Sequence, residues 1–188
     1  MNLRLTHIPE FSSSHDSGDQ VSQDAPCRIS LPIYRDERGA FSERFRANAF
    51  AAIGLSGFVQ DNFSSSHSGV LRGLHYQVDP GQGKLLTVLS GEIYDVIVDV
   101  RREKKTFGRW SAIKLSAQTP EWLWIPEGFA HGFLVTGAED ALVWYRCTNY
   151  YSPKGERGIR WNDPGLAIDW PIENPTLSPR DSQLEHLT

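Results

Sequence analysis

The chain has 188 residues, of which 39% are hydrophobic and 22% charged, and its formal net charge at pH 7 is −4. This length and composition suit a single globular domain with an apolar core. The acidic balance and the lack of a long Lys/Arg run argue against nucleic acid or an anionic membrane as a partner. Any anionic ligand must therefore meet a local basic pocket.

The two cysteines, Cys27 and Cys147, are far apart and form no CxxC pair. This spacing argues against a zinc ribbon or a disulfide framework and favours a reducing compartment. No apolar stretch reaches the roughly 20 residues that a membrane span needs, and the N-terminus has no continuous apolar run of the signal type. We therefore expect a cytoplasmic protein with no membrane partner.

The N-terminal part of the chain predicts little burial. Residues 11–24 are dominated by Ser, Asp, Gln and Gly, which can form few apolar contacts. We expect residues 1–26 to form a flexible arm and residues 27–188 to form one domain. One short helix is predicted over 48–53, with Asn48 as its N-cap and Gly54 as its stop.

Short β-type runs recur between turn signals over the rest of the chain. The predicted strands are 41–45, 70–77, 85–89, 93–100, 110–115, 122–125, 132–135 and 141–147. This rhythm is typical of an all-β sandwich or barrel, and a jelly roll fits the size. After Pro153 the chain is rich in Pro, Gly, Asn and Asp, which predicts an irregular C-terminal segment that wraps the sheet.

The segment LRGLHYQ, residues 71–77, brings an arginine and a histidine close together in sequence. Strict alternation along a strand would place Arg72 and His75 on opposite faces. A bulge at Gly73 would break that alternation and turn both side chains into one cavity, so we predict a bulge there. His75 alone is equally well explained as a core histidine, but a buried guanidinium beside it needs an anion or a carbonyl oxygen to meet it.

A tight Pro/Gly turn at residues 126–132 delivers His131 at the start of a strand. It has the shape of the second cupin motif, PxGxxH, and the alternative is a histidine that only stabilises the turn. Metal-binding cupins complete their site with two histidines and a carboxylate from the first motif. Here Gln77 and Lys84 stand near two of those positions, so the usual ligand set is incomplete and we expect no metal.

The strand predicted over 141–147 places Tyr145 on one face with Val143 and Cys147, which are neighbours suited to a barrel interior. A buried phenol needs a partner for its hydroxyl group. Tyr150 and Tyr151 follow the strand. They are explained either by ordinary packing or by stacking on a planar base at a pocket mouth.

A series of motifs resembles the dTDP-4-dehydrorhamnose 3,5-epimerase family of deoxysugar biosynthesis. In order, from about Leu31 to Asp181, the chain contains QDNFS, LRGLHYQ, QGK, GEIYDVIVDVR, TFGRW, WIPEGFAHGF, TNYYSP, WNDPGLAIDWP and LSPRD. The resemblance implies an all-β, cupin-like jelly-roll barrel with one or two short helices and an irregular C-terminal segment. It also implies a homodimer that acts on a dTDP-4-keto-6-deoxyhexose without metal or organic cofactor.

The resemblance further implies a role for individual residues. His75 would be the catalytic base, Asp181 would hold and polarise it, and Tyr145 would be the acid across the sugar ring. Arg72 and Lys84 would surround the ketone and sugar oxygens. The other residues that would contact or frame the nucleotide sugar are Arg38, Glu43, Gln60, Asp61, Asn62, His131, Tyr151, Glu156 and Arg180. Tyr151 would stack on the thymine, and Arg180 stands where the family usually has lysine, which keeps the charge but not the shape.

The implied reaction is inversion of dTDP-4-dehydro-6-deoxy-D-glucose at C3 and C5, through enolates, to dTDP-4-dehydro-L-rhamnose. A single-site epimerase acting at C3 or C5 is the close alternative, because one base and one acid can serve either carbon. A metal-dependent cupin isomerase or oxygenase and a non-catalytic nucleotide-sugar binder are alternatives of other classes. The positions of Gln77 and Lys84 weigh against the metal enzyme, and His75, Tyr145 and Asp181 weigh against the binder.

Overall fold

The computed structural model describes residues 1–12 and 19–188. The strands in this part of the chain are β1 (Arg4–His7), β2 (Cys27–Ser30), β3 (Tyr34–Asp36), β4 (Gly39–Phe41), β5 (Gln60–Ser66), β6 (Leu71–Gln77), β7 (Lys84–Ser90), β8 (Glu92–Asp99), β9 (Trp110–Ser116), β10 (Glu121–Ile125), β11 (Phe129–Val135), β12 (Ala141–Cys147) and β13 (Glu156–Gly158). One α-helix, α1 (Ala47–Ala52), and a 3-10 turn (Asp181–Gln183) complete the regular elements of the described residues. None of the helices described is long and apolar enough to cross a membrane.

Two antiparallel sheets form the body of the fold. The first has the strand order β1-β2-β10-β7-β12-β5, and the second has the order β13-β6-β11-β8-β9. Apolar side chains of both sheets, such as Leu86, Ile97 and Val143, meet in one buried cluster between them. The structure confirms the predicted all-β class with its cupin-like arrangement of two facing sheets, although hydrogen bonds do not close the sheets into one barrel.

The irregular C-terminal segment covers the outer face of the second sheet. Strand β8 is buried on both faces because Val96 and Val98 pack against Ile159, Leu166 and Trp170 of that segment. Residues on both faces of β8 are therefore removed from water, including the carboxylates of Asp95 and Asp99. The predicted wrapping of the sheet by the C-terminal segment is confirmed.

A bulge interrupts β6 where the sequence predicts it. His75 pairs with His131 and Arg72 pairs with Phe133, so two residues of β6 lie opposite the single Gly132 of β11. Gly73 has φ +113, and a Cβ atom there would lie 2.7 Å from the Gly132 Cα. Only glycine fits this approach of the two backbones. The bulge brings Arg72 and His75 to the same cavity.

Two predictions about the N-terminal half are wrong. Helix α1 has Arg46 as its N-cap, with no side-chain capping bond, so Asn48 lies inside the helix instead of at its start. Buried Phe50, which packs edge-on against Trp122, fixes the position of this short helix. Tertiary packing thus overrides the local capping preference. Gly54 follows the helix with φ +90, as its predicted stop requires.

The fold also begins earlier than predicted. Strand β1 pairs in register with β2, and Ile8 and Phe11 are buried, with Phe11 packing edge-on against Phe129 at 5.2 Å between ring centroids. The prediction of a flexible arm over 1–26 and a fold that starts near Cys27 is therefore wrong for residues 1–12. It is also wrong for residues 19–26, because Val21 is buried. The polar composition of this segment predicts an arm, but three of its apolar residues, Ile8, Phe11 and Val21, pack into the core. Residues 13–18 of the predicted arm lie outside the described residues.

We predict that Gly73→Ala destabilises the protein and impairs its site. The added methyl group forces an unfavourable backbone conformation, which costs about 1–3 kcal/mol, and it also meets the backbone of β11. Urea unfolding and ligand binding measure the two effects. Gly57→Ala is the matched control, because Gly57 also has a positive φ (+74) but nothing lies within 4 Å of an added Cβ. Equal losses of stability in the two variants, with binding unchanged, would contradict the role given to the close approach.

Candidate active site

Two adjoining cavities lie between the sheets. They measure about 490 and 300 Å³, and His75, Lys84 and Tyr145 line both of them. Strands β5, β7 and β12 of the first sheet form one wall, and strands β6 and β11 of the second form the other. Residues 176–181 of the C-terminal segment close the larger cavity. The site is therefore built on rigid strands and closed by a loop.

His75 and Asp181 form a hydrogen-bonded pair in which Nε2 of the imidazole lies 2.6 Å from Oδ1 of the carboxylate. Asp181 is buried at the start of the 3-10 turn, and the Gly73 backbone N–H also points at its other oxygen, at 3.5 Å. Burial alone would raise the pKa of Asp181, but the hydrogen bond and charge of His75, together with the Gly73 N–H, hold that pKa below its usual range. The carboxylate stays ionised and can only accept, so Nε2 of His75 is the donor in this bond. In the neutral form of the ring, Nδ1 then has the free lone pair that a base needs.

Tyr145 stands in the opposite wall. Its pKa is raised, first by burial and then by the neighbouring Cys147, while Arg72 opposes the rise. The phenol therefore stays protonated at neutral pH. Its hydroxyl group makes no hydrogen bond within residues 1–12 and 19–188, so it is free to meet a bound molecule.

Two cations line the larger cavity without a carboxylate partner in the described part of the chain. The Arg72 guanidinium donates to Ser66 Oγ at 2.8 Å and to the Ser65 carbonyl oxygen at 3.3 Å. Lys84 is buried, and this burial lowers its pKa, with Cys147 and Glu156 opposing the effect only in part. Arg72 is exposed, so its guanidinium is not the buried group that the sequence predicts. Lys84 is a buried cation without a counterion in the described residues, and such a group favours an anionic or carbonyl-bearing ligand.

A polar cluster borders the smaller cavity. The Glu156 carboxylate accepts a hydrogen bond from the Tyr151 hydroxyl and forms an ion pair with Arg180 at 2.7 Å. Burial alone would raise the pKa of Glu156, but Tyr151 and Arg180 hold it below its ordinary value. The Tyr151 ring is 50% exposed. Gln60 and Asn62 line the same cavity, and the Gln60 amide oxygen accepts from the Tyr151 backbone N–H at 2.9 Å.

His131 also lies in the larger cavity, which favours the prediction of a site residue over that of a turn stabiliser. Its Nε2 lies 2.8 Å from Oδ2 of the buried Asp95. Sequence reasoning missed Asp95, although alternation along the strand places it on one face with Ile93 and Ile97, which both lie in the core. A carboxylate on a core-facing position was the available signal.

Three predicted substrate-binding residues do not line the two cavities described above. Asp61 lies on the outer face of β5 and pairs with Arg146 at 2.8 Å, because side chains alternate along the strand. Arg38 lies in the turn between β3 and β4 and pairs with Asp36, and Glu43 pairs with Arg46. In the single chain these three charged side chains thus lie outside the two cavities, and their contact with the substrate stays a prediction.

Other lining residues were not predicted. They include Ser64, Gln82 and Phe133, together with Ser178 of the C-terminal segment. The even-numbered residues of β5 all point inward, so alternation along this strand would have identified Ser64.

Gln77, which stands near a cupin ligand position, has a structural function instead. Its amide nitrogen donates to the carbonyl oxygens of Pro80 and Tyr150, and its amide oxygen accepts from the Ser152 N–H at 2.8 Å. These bonds fix the segment that carries Tyr151. Among the described residues there is no group of three or more His, Cys, Asp or Glu side chains that could hold a metal ion.

Comparison with known proteins agrees with this site. The family model for dTDP-4-dehydrorhamnose 3,5-epimerase matches residues 24–188. The dTDP-4-dehydrorhamnose 3,5-epimerase of Shigella flexneri is 51% identical over 152 residues, which are 79% of this chain and 83% of that protein. The enzyme of the same description from Pseudomonas aeruginosa is 49% identical over 154 residues, covering 80% and 84%. The chain belongs to the dTDP-4-dehydrorhamnose 3,5-epimerase family, whose members are isomerases.

Solved structures similar to this chain are also sugar epimerases. A dTDP-6-deoxy-D-glucose-3,5-epimerase of Legionella pneumophila, solved in complex with dTDP-4-keto-L-rhamnose, has a TM-score of 0.85 and 44% identity, covering 99% of this chain and 93% of that chain. A 3'-monoepimerase of Streptomyces bikiniensis in complex with dTDP-quinovose has a TM-score of 0.81 and 35% identity, covering 89% and 86%. The fold is thus shared by double and single epimerases.

We predict a pH-dependent contribution of Asp181 to stability. Its folded-state pKa lies below the usual unfolded value near 3.9, so its ionised form stabilises the fold above about pH 4, and this contribution is lost as the pH falls through the lower folded-state pKa. Asp181→Asn should therefore cost more free energy of unfolding at about pH 6 than at about pH 3. Urea unfolding at both pH values measures the difference. An equal cost at the two pH values would contradict the ionised pairing with His75.

Proposed function

We propose that this protein inverts C3 and C5 of dTDP-4-dehydro-6-deoxy-D-glucose to give dTDP-4-dehydro-L-rhamnose, and that it needs no metal or organic cofactor. One observation carries the proposal: a His–Asp pair and a protonated tyrosine line the same cavity from opposite walls, with two unpaired cations beside them. Inversion requires that a proton leaves one face of a carbon and that another arrives on the opposite face. A base and an acid on opposing sheets meet this requirement.

The first step is removal of the proton on the carbon next to the C4 ketone. Nδ1 of His75 takes this proton, and the electron pair of the C–H bond moves onto the ketone oxygen, which gives an enolate. Asp181 stabilises the imidazolium that forms and holds the ring in place. Arg72 and Lys84 supply positive charge beside the developing oxyanion and lower its energy.

The second step is return of a proton from the other face. The Tyr145 hydroxyl donates to the enolate carbon, and the enolate electron pair forms the new C–H bond. A phenol, whose pKa is ordinarily about 10, is a suitable donor to a carbanion-like carbon at neutral pH. A proton must then pass from the imidazolium to the phenolate through solvent before the second carbon is inverted.

The smaller cavity suits the nucleotide part of the substrate. Tyr151 offers an exposed aromatic face for the thymine, and the nearby Arg180 supplies positive charge for the diphosphate. Gln60, Asn62 and Glu156 frame the same space. We include His131 among the substrate-binding residues because it lines the sugar-binding cavity.

We further propose that the protein is a homodimer in the cytoplasm. The β3–β4 hairpin exposes Tyr34 and Phe41 by 62% and 68%, and Arg38 lies at its turn, outside the two cavities of the candidate active site. A hairpin that reaches a second copy would bury these rings and bring Arg38 and Glu43 to the partner's site. The buried free thiols of Cys27 and Cys147 suit a reducing compartment.

A single-site epimerase is the second candidate, because the Streptomyces bikiniensis 3'-monoepimerase shares this fold at 35% identity. The same base and acid serve either carbon. The outcome then depends on how far the sugar can turn within the cavity between the two steps.

We predict that His75→Ala and Tyr145→Phe differ in hydrogen exchange. His75→Ala removes the base, so neither exchange at the carbons next to the ketone nor inversion should be detectable. Tyr145→Phe keeps the base, so exchange in D₂O should continue while inversion is lost. Proton NMR of dTDP-4-dehydro-6-deoxy-D-glucose in D₂O measures exchange, and a rhamnose-forming reductase detects the inverted product. Full epimerisation by either variant would refute the role assigned to that residue.

We also predict complementation between two impaired chains. Co-expression of Arg38→Ala with His75→Ala should restore epimerase activity, because one site of the mixed dimer then has an intact base and an intact partner hairpin. The control pair is His75→Ala with Tyr145→Phe, whose changes fall in the same site, so a mixed dimer has no intact site. Absence of restored activity in purified mixed dimers would show that Arg38 does not act across the interface.

A further inference from the structure

The cavity contains two His–Asp pairs on neighbouring strands. His75 of β6 and His131 of β11 are register partners in the second sheet. Each imidazole uses Nε2 to meet a carboxylate, Asp181 at 2.6 Å and Asp95 at 2.8 Å. Both rings line the larger cavity. The catalytic scheme above uses the first pair and leaves the second without a function.

The surroundings of the two carboxylates differ. Asp95 is completely buried, and its Oδ1 has no hydrogen-bond partner in the described residues, so His131 is its only polar contact there. Burial raises the pKa of Asp95, and the charge and hydrogen bond of His131 only oppose this effect. Asp181, in contrast, has His75 and the Gly73 backbone N–H beside it, and its pKa is lowered. A buried carboxylate with an unsatisfied oxygen is costly in its charged form unless a positive charge compensates it.

This difference decides where the protons lie. A single proton shared by Asp95 and His131 would leave a net negative charge in a position closed to water. A second proton makes the pair neutral, either as carboxylate and imidazolium or as a carboxylic acid whose Oδ2–H donates to Nε2 of a neutral imidazole. A proton on Oδ1 is disfavoured, because it would be buried without an acceptor in the described residues. With the shared proton between Oδ2 and Nε2, Nδ1 of His131 carries a hydrogen in both arrangements. Nδ1 makes no hydrogen bond within the described residues, so it is the ring atom available to a bound molecule.

The other ionisable groups of the cavity agree with this arrangement. Arg72, Lys84 and Arg180 line the same space, and Tyr145 faces it from the opposite sheet. The positive charges of the two arginines and the lysine attract an anionic oxygen into the cavity. A donor at His131 would add a directional hydrogen bond to this diffuse positive field.

We propose that Asp95 is a positioning residue that keeps a proton on Nδ1 of His131, so that this imidazole donates a hydrogen bond to an anionic oxygen of the bound substrate. The two histidines thus have opposite functions, His75 accepting a proton and His131 donating a hydrogen bond. The oxygen is either that of the enolate or one of the diphosphate. The identity of the bound substrate rests on the proposed function. The placement of the proton on Nδ1 of His131 does not depend on it.

The first test is ¹⁵N NMR of the ring nitrogens in the full-length protein with labelled histidine, at about pH 7.5, where a free histidine with a pKa near 6.5 is mostly neutral. Signals are assigned with His131→Ala and His75→Ala. We expect a protonated Nδ1 for His131 and an unprotonated Nδ1 for His75. An unprotonated Nδ1 at His131 would overturn the inference, whether or not the protein is an epimerase. A protein with the expected signals but no epimerase activity would refute the proposed function alone.

The second test asks whether Asp95 acts through His131. His131→Ala should lower kcat/KM about 10²-fold, the usual loss for one such donor, and Asp95→Ala should lower it about 10-fold or more. In the His131→Ala background, Asp95→Ala should add less than about twofold. Equal effects of Asp95→Ala in both backgrounds would mean that Asp95 supports only the fold, and this would overturn the inference.

Asp99→Ala is the matched control, because Asp99 is equally buried on the same strand but pairs with Arg101, away from the cavity. It should destabilise the protein yet leave kcat/KM within about twofold at temperatures well below unfolding. The affinity for dTDP then identifies the oxygen. Weaker dTDP binding by Asp95→Ala indicates the diphosphate, whereas unchanged dTDP binding with a lower kcat indicates the enolate. If neither quantity changes, the proposal fails.

Discussion

The close approach of β6 and β11 is the constraint on which the site depends. A Cβ atom at Gly73 would lie 2.7 Å from the backbone of β11, and one at Gly132 would lie 2.7 Å from the Arg72 carbonyl oxygen. Because both positions are glycine, β6 can accommodate one extra residue opposite β11. That residue turns Arg72 and His75 toward one cavity and directs the Gly73 N–H to Asp181. A change of backbone shape over two residues therefore determines which side chains meet the ligand.

The two-sheet architecture gives this arrangement its chemistry. Inversion needs groups on opposite faces of one carbon, and two facing sheets hold His75 and Tyr145 on separate rigid walls. The irregular C-terminal segment completes the site from outside the sheets, since it buries the outer face of β8 and delivers Asp181 to His75. Burial then tunes each group: it keeps the Tyr145 phenol protonated, while local hydrogen bonds keep the Asp181 carboxylate ionised. Two carboxylates of the same type, Asp181 and Asp95, thus acquire different properties from their surroundings.

Local patterns in the sequence predicted much of this fold and site. Alternation predicts β8, and a glycine within a strand predicts the bulge at Gly73. The resemblance of the motifs predicts that His75, Tyr145 and Asp181 share one site, and all three line the larger cavity. The failures arose where distant contacts decide the outcome. The packing of Phe50 against Trp122 shifted the start of α1, and the pairing of β1 with β2 could not be read from a polar N-terminal segment. Asp95 was not predicted, and Asp61 was expected at the cavity, because motif resemblance does not specify on which face of a strand a residue lies. The pairings Asp61–Arg146 and Asp95–His131 in the structure show those faces.

The most direct test of the account is to incubate the pure protein with dTDP-4-dehydro-6-deoxy-D-glucose in D₂O, with EDTA present, and to follow the C3 and C5 protons by NMR. A parallel sample contains a rhamnose-forming reductase. The account predicts that both signals disappear and that the reductase yields dTDP-L-rhamnose. Exchange at only one carbon would show a single-site epimerase, and no exchange at either carbon, or exchange only without EDTA, would contradict the proposed cofactor-independent double epimerisation.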